Sequence, residues 1–106
     1  MSEYKKTAIC EAIETKHLLQ FYYDHLGDTG FRTVEPHMVA YNEDENLALS
    51  AWFVSGKSES QTGPGWRQYL MSYISSVTIL PQTFSAPRKG YKHNGGEMFH
   101  SIQCAL

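Results

Sequence analysis

Several kinds of sequence feature are scarce or missing in this chain. It has only two cysteines, Cys10 and Cys104, which lie near opposite ends without the spacing of a disulfide framework. We interpret them as reduced thiols, which are typical of a cytoplasmic protein. No basic and then apolar leader opens the chain, so no signal peptide is predicted. Residues 68–87 carry no charge, but Ser, Thr, Gln and Pro interrupt the run, and we expect no membrane span.

A basic excess is also missing. The formal net charge is −2 with the five histidines neutral, whereas generic binders of polyanions carry a clear positive charge. This balance argues against general polyanion binding and leaves room for a local basic pocket. The length of 106 residues suits one domain with a small core, and there is no internal repeat or low-complexity tract.

Apolar residues at helical spacing predict one helix, over residues 3–15. Ala8, Ile9, Ala12 and Ile13 recur on one side of this segment. A helix of this length is not stable in isolation, so we expect it to lay Ile9 and Ile13 on a sheet.

The rest of the chain is rich in strand-forming residues, with seven Tyr and five Phe. Five strands are predicted. Three lie at residues 18–23, 31–41 and 47–54; the fourth begins at residue 66 and ends at a tight turn at 72–75, and the fifth lies at 77–80. A polar hairpin loop at 25–30, an acidic turn at 42–46 and a mobile polar loop at 56–65 connect them. Pro36 lacks an amide hydrogen, so it must lie at an edge or a bend.

This order predicts a mainly β (α+β) fold. We expect a small five-stranded barrel of SH3-like or Sm-like type, closed or half-open, with an N-terminal helix. The domain is placed at residues 1–91 and a C-terminal tail at 92–106, within which residues 98–106 are expected to form a short strand or helix.

Four segments between residues 9 and 91 together resemble the WYL domain of bacterial transcription regulators and phage-defence proteins. They are Ile9-Cys10-Glu11-Ala12-Ile13 leading into Leu19-Gln20-Phe21-Tyr22-Tyr23; Arg32-Thr33-Val34-Glu35-Pro36, similar to the family's Arg-x-Val-x-Pro; Arg67-Gln68-Tyr69-Leu70-Met71 with Ile74 and Val77, similar to Arg-x-Phe-x-Leu-x-Arg-Ile-x-x-Val; and Phe84 to Tyr91. Of the name-giving tripeptide only Leu49 is present, and Tyr73 stands where the family carries a second arginine.

The resemblance implies an Sm-like barrel that senses a nucleotide or single-stranded nucleic acid and controls an attached domain. Arg67 and Arg32 would be the ligand contacts, because a guanidinium fork matches phosphate or carboxylate. Tyr69, Tyr73 and Tyr23 would stack on bases. The alternative is that the arginines are solvated strand residues and the tyrosines pack in the core or at its rim.

Other charged and motif-like residues carry less weight. Lys57, Arg88 and Lys89 would either add attraction for an anion or be solvated loop charges. Residues 51–58 match a relaxed phosphate-loop pattern, but Trp-Phe-Val in its middle belongs in a strand and no helix follows.

The sequence also contains no convincing catalytic or metal-binding set. Asp28-Thr29-Gly30 resembles the triplet of aspartic proteases but lies in a polar turn, which favours a hairpin residue. His100, Cys104 and His93 form no paired metal motif, so they are interpreted as tail residues and no metal or cofactor is expected.

We therefore predict a non-enzymatic regulatory module that binds a nucleotide, single-stranded nucleic acid or small anion. It would act through a partner protein or through self-association into a homo-oligomer. The alternative is a structural or protein-interaction domain that kept the barrel and lost the pocket, for which an exposed Trp52 or Trp66 beside tyrosines would be the mark.

Overall fold

A computed structural model describes residues 2–56 and 63–106. Within them the chain forms α1 (Ser2–Thr15), β1 (His17–His25), β2 (Asp28–Tyr41), β3 (Leu47–Gly56), β4 (Gly65–Leu70), a 3-10 turn (Met71–Tyr73), β5 (Ile74–Thr83) and β6 (His100–Ala105). The mainly β fold with an N-terminal helix is confirmed, with six strands in place of the five predicted.

The helix and the first hairpin end at residues with left-handed backbone. Lys16 follows α1 with φ of 57°, a common way to stop a helix, and β1 begins directly after it. Leu26 and Gly27 have φ of 52° and 84°, which gives the two-residue turn that suits the twist of paired strands. The hairpin loop is therefore shorter than the one predicted over residues 25–30.

The strands form one antiparallel sheet in the order β4-β3-β2-β1-β5, and β6 pairs with β2. The two strands between residues 66 and 80 do not form a hairpin. β4 pairs with β3, while β5 pairs with β1, so the short 3-10 turn joins the two edges of the sheet. Within the described residues β4 and β5 do not pair, and the sheet is not a closed barrel.

Pro36 lies where β2 changes partners, as a residue without an amide hydrogen should. β2 pairs with β1 as far as Val34 and with β6 from Met38 onward. Its pairing with β3 is shifted in register between Pro36 and Met38. Pro36 is thus unpaired on one side and lies beside a register shift, in agreement with the predicted edge or bend.

The core lies between α1 and one face of the sheet. Ile9, Ala12 and Ile13 of the helix are fully buried, as are Leu19 and Phe21 of β1. Burying a side chain of Ile or Leu size stabilises the fold by about 1.5–3 kcal/mol. The predicted apolar side of the helix is therefore the side that covers the sheet.

The two cysteines form a disulfide, and their interpretation as reduced thiols is wrong. Cys10 of α1 is joined to Cys104 of β6, 94 positions later in the chain. The bond arises because β6 returns alongside β2 and brings its end to the helix, a contact that cysteine spacing cannot reveal. The cytoplasmic location stays a prediction, without support from free thiols.

The segment predicted as a tail is built onto the sheet. β6 supplies the strand expected within residues 98–106, and the Leu106 amide donates to the His37 carbonyl at 3.0 Å. Residues 88–99, which we call the strap, cross the sheet before β6. The domain boundary at residue 91 stays a prediction. Within the described part of the chain no helix is long and apolar enough to cross a membrane.

Candidate functional site

Four of the five predicted ligand-binding residues line one polar cavity of about 420 Å³, which we call the Arg67 cavity. They are Tyr23, Arg32, Arg67 and Tyr69, and the wall is completed by His25, Asp28, Asn42, Asp44, Asn46, Gln68 and Leu70. Alternate residues of a strand share a face, which places Arg67 and Tyr69 together on β4. The sheet order then brings β4 and the β1–β2 hairpin to the same opening.

Arg32 is an internal structural residue of this cavity. Its side chain is buried, with Nη2 2.8 Å from the Asp28 carboxylate. Its Nη1 donates to the carbonyls of Tyr23 and Gly30, at 3.2 and 3.1 Å. A buried guanidinium needs such partners, because an unpaired buried charge is costly. Arg32 is therefore neither a solvated strand residue nor an open ligand contact, and it fixes the hairpin behind the cavity.

Arg67 is the cation that reaches the opening. It is half-buried, and its guanidinium carbon lies 5.0 Å from the centre of the Phe53 ring. Nη1 donates to the Trp66 carbonyl at 3.0 Å and Nη2 to the Gly63 carbonyl at 2.9 Å. Within the described residues these bonds engage two of the five N–H donors and orient the planar group. The orientation makes Arg67 a candidate contact for an anion.

The tyrosines fall into two kinds. Tyr23 and Tyr69 are 6% and 5% exposed, and their rings pack edge to face with centres 5.0 Å apart. Such rings have no free face for a base, so the stacking role predicted for them is wrong. Tyr73 is 41% exposed and lies 4.5 Å from the His25 ring, beside the cavity but outside its lining.

Burial also controls the hydroxyl groups of the packed tyrosines. It raises the pKa of Tyr69 to about 12 and raises the pKa of Tyr23 above its ordinary value. The Tyr23 hydroxyl accepts the Leu70 amide hydrogen at 2.9 Å, which ties β1 to the end of β4. Both hydroxyls stay neutral near pH 7, so they add polar contacts but no charge.

The acidic turn contributes a second wall. Asn42 is buried, and its side-chain oxygen accepts the amides of Asp44 and Asn46, both at 3.0 Å. Its side-chain nitrogen donates to the Gln68 side chain on β4. The sequence predicts residues 42–46 only as a turn. The two asparagines at its ends favour local backbone bonding and are the signal of this wall.

The charges of the Arg67 cavity nearly cancel. Asp28 and Asp44 stand against Arg32 and Arg67 in its lining. Since Asp28 is paired with Arg32, the other two charges of the lining are Arg67 and the turn residue Asp44. The cavity is therefore not strongly basic.

A second polar cluster, on the other face of the sheet, was not predicted. The Glu35 carboxylate is buried and accepts two bonds from Arg88, at 2.8 and 2.9 Å. Arg88 also lies over the Trp52 ring, with its guanidinium carbon 4.9 Å from the ring centre. Arg88 is thus an anchor of the strap and not a free loop charge. The signal was Glu35 itself, a charged residue inside an apolar strand.

His37 completes this cluster. It is fully buried, and its Nε2 accepts the Arg88 amide hydrogen at 3.1 Å. The proton must therefore reside on Nδ1, which donates to the Glu35 carbonyl at 2.8 Å. Burial lowers the pKa of His37, so the ring is neutral and serves as a structural bridge between β2 and the strap.

The two tryptophans lie under the strap. Their rings meet edge to face, with centres 5.8 Å apart, and both are half-buried. Trp66 donates from Nε1 to the Lys89 carbonyl at 2.9 Å. They do not form the exposed patch that would mark the interaction-domain alternative.

The remaining candidates have local partners or fall outside the structure. Cys104 is in the disulfide, and His100 lies 3.1 Å from the Glu45 carboxylate. Across residues 2–56 and 63–106 no three His, Cys, Asp or Glu side chains gather to hold a metal. Lys57 and most of the predicted loop 56–65 lie outside the described residues.

Comparison of the chain with protein-family models, with curated proteins and with solved structures gave no match in any of the three.

Proposed function

We propose that this protein is a regulatory ligand-binding module of WYL-like type, and that the Arg67 cavity is its binding site. The observation that carries the proposal is the cavity that β4 and the β1–β2 hairpin form together, in which Arg67 is the ligand contact and Tyr23, Arg32 and Tyr69 build the wall. These are the positions at which the sequence resembles the family. The strand order is compatible with an Sm-like, half-open barrel, because the 3-10 turn links the two edges of the sheet across its open side.

The ligand class follows from the cavity walls. Arg67 offers a planar fork for one phosphate or carboxylate. The side-chain amides of Asn46 and Gln68 line the same opening and supply donors and acceptors for a base edge. At the rim, the exposed Tyr73 ring beside His25 gives a base a face on which to stack. A mononucleotide fits these features, with its phosphate at Arg67.

A long polynucleotide fits them less well. Asp28 and Asp44 lie within the site, and the whole chain has a formal net charge of −2. Each further phosphate would meet negative charge instead of a counter-cation. We therefore rank a nucleotide or another small anion above single-stranded nucleic acid.

The output of the module would pass through a partner protein or through self-association. The hairpin held by Arg32 and Asp28 carries two exposed apolar side chains, Leu26 at 90% and Phe31 at 50%. A hairpin tip that is fixed by the binding site and apolar at its surface suits contact with another protein. The apolar hairpin tip also supports the alternative of a protein-interaction domain, since such a domain would bind its partner through the tip without any ligand.

The test is to titrate the protein with AMP and with a single-stranded oligonucleotide at two salt concentrations, by calorimetry. We expect AMP to bind with weak salt dependence and Arg67→Ala to weaken binding by about 10-fold or more, since a hydrogen bond to a charged group contributes about 1.5–3 kcal/mol. Arg67→Lys should recover only part of the affinity, because it restores charge without the fork.

Lys89→Ala is the matched control, because it removes an exposed cation outside the cavity lining and should bind AMP as the unaltered protein does. Absence of binding, or equal affinity in Arg67→Ala, would refute the proposal. Binding of the oligonucleotide alone, with a steep salt dependence, would instead favour a nucleic-acid ligand.

A further inference from the structure

A second and larger cavity, of about 770 Å³, lies between the strap and the sheet. Met38, Ser50, Trp66 and Gln68 line it from the sheet, and Tyr91, Lys92, Asn94, Glu97, Met98 and Phe99 from the strap. Trp66 alternates with Arg67 and Tyr69 along β4, so its side chain points to the other face of the sheet. Arg67 and Gln68 line both cavities, and the other lining residues of the strap cavity are not shared with the proposed nucleotide site.

The strap is fastened at both ends. At its start the Arg88 side chain bonds Glu35 and the Lys89 carbonyl accepts a hydrogen bond from Trp66. At its end the chain enters β6, which pairs with β2 and is joined to α1 through Cys104. These contacts hold both ends of the strap against the rest of the fold.

The middle of the strap is bonded to itself. The Gly95 amide donates to the Lys92 carbonyl at 2.9 Å, and the Phe99 amide donates to the Gly95 carbonyl at 3.2 Å. Gly95 has φ of 85°, and a Cβ added there would lie 2.6 Å from the Phe99 carbonyl oxygen. This turn accepts only glycine, and it holds the strap as an arch over the cavity.

The size and lining of the cavity are those of a small-molecule site. Such sites have volumes of about 300–1,000 Å³ and combine apolar walls with a few polar groups. The Trp66 and Tyr91 rings are nearly parallel, at 19°, with centres 6.3 Å apart. Met38, Met98 and Phe99 add soft apolar surface.

We propose that the strap cavity binds a small planar aromatic molecule with one negative charge, such as an aromatic carboxylate. The parallel aromatic rings favour a flat ring system. Among the lining residues Lys92 and Arg67 are cationic and Glu97 is anionic, which leaves one positive charge in excess. Lys92 belongs to the strap and lines the cavity, so we assign it as the contact for the carboxylate.

The probes are 2-naphthoate and its neutral analogue 2-naphthylmethanol, titrated into the full chain by calorimetry. Ser50→Phe fills the cavity from β3 and should weaken 2-naphthoate binding by about 10-fold or more. Its matched control is Ser75→Phe on β5, far from the lining, which should leave binding unchanged. Lys92→Gln should weaken 2-naphthoate several-fold and leave 2-naphthylmethanol unaffected, with Lys89→Gln as the charge control.

The location is checked without any variant by intermolecular NOEs from 2-naphthoate to the Trp66 ring, which we expect to observe. Near-UV circular dichroism establishes that Ser50→Phe is folded; if it is not, the smaller Ser50→Leu takes its place. No saturable binding of 2-naphthoate, equal affinity in the folded filling variant, or NOEs confined to other residues would each overturn the proposal. Because Arg67 and Gln68 line both cavities, AMP is not used as a competitor. Ser50→Phe and Lys92→Gln should weaken 2-naphthoate and leave AMP affinity unchanged, since neither residue lines the Arg67 cavity, and each proposal can therefore fail alone.

Discussion

Removing the disulfide should destabilise this protein more than any surface change. Replacing Cys10 and Cys104 together by Ser opens a link between positions 94 apart. In the chain-entropy model a loop of that length is worth about 4.7 kcal/mol of unfolding free energy, and native disulfides in small domains contribute about 2–5 kcal/mol. Since small domains have about 5–15 kcal/mol in total, the loss is a large share of stability.

The size of the effect can be converted to temperature. In a domain near 100 residues, 1 kcal/mol shifts the melting temperature by about 4–8 °C, so we expect a fall of about 10 °C or more. Hydrogen exchange should locate the loss first in β6 and in the part of β2 that pairs with it, residues 38–41. The strap would lose its second anchor at the same time.

The assay is urea unfolding of the unaltered protein with and without a reductant, beside the double Ser variant. Reductant should lower the stability of the unaltered protein to that of the double Ser variant and leave the stability of the variant unchanged. Thiol titration in denaturant, without reductant, should find no free thiol in the unaltered chain. Two free thiols in that titration, or equal unfolding midpoints for all samples, would refute the reasoning.

Two further predictions concern His37 and the arch of the strap. Burial lowers the pKa of His37 below its ordinary 6.5. Between the lowered pKa and 6.5, this histidine is therefore protonated in the unfolded chain and neutral in the folded chain. The free energy of unfolding should fall as the pH drops below about 6.5, by at most about 1.4 kcal/mol per pH unit from this group, and should level off below the lowered pKa. The measurement is urea unfolding at a series of pH values. If His37→Gln lost stability with falling pH as steeply as the unaltered protein, the prediction would be contradicted. Gly95→Ala should lower the free energy of unfolding by about 2 kcal/mol or more, because the strain of a left-handed backbone, about 1 kcal/mol, adds to the clash of the new Cβ with the Phe99 carbonyl oxygen. Gly27→Ala, with φ of 84° and open space around it, is the matched control and should show the strain alone; equal thermal shifts would speak against the arch.

Features set by neighbouring residues could be predicted from the sequence. The apolar spacing of Ile9 and Ile13 placed the helix, and the strand runs separated by polar turns placed most of β1 to β5. Pro36 signalled a bend because its missing amide hydrogen is a property of the residue itself. The candidate site residues Arg67 and Arg32 were singled out by the resemblance of their segments to the WYL domain, and their binding role stays a prediction.

Features that depend on distant partners could not be predicted in this way. A turn at residues 71–73 joins two strands whatever their partners, so only the packed sheet shows that β4 and β5 lie at opposite edges. The pairing of Cys10 with Cys104 required the path of β6. Arg32 and Arg67 have the same chemistry, yet one is enclosed by Asp28 and the other reaches an opening, and their burial in the tertiary structure makes that difference.

Local propensities and residue chemistry thus specified the elements, the bend at Pro36 and the residue types available to a binding site. The packing of these elements against one another specified which side chains are exposed and which are enclosed by partners. The Glu35, His37 and Arg88 cluster shows the reason most plainly: each residue alone would be solvated, and they become an anchor only because the fold buries them together. Burial and pairing are properties of contacts between segments, and those contacts exist only in the folded chain.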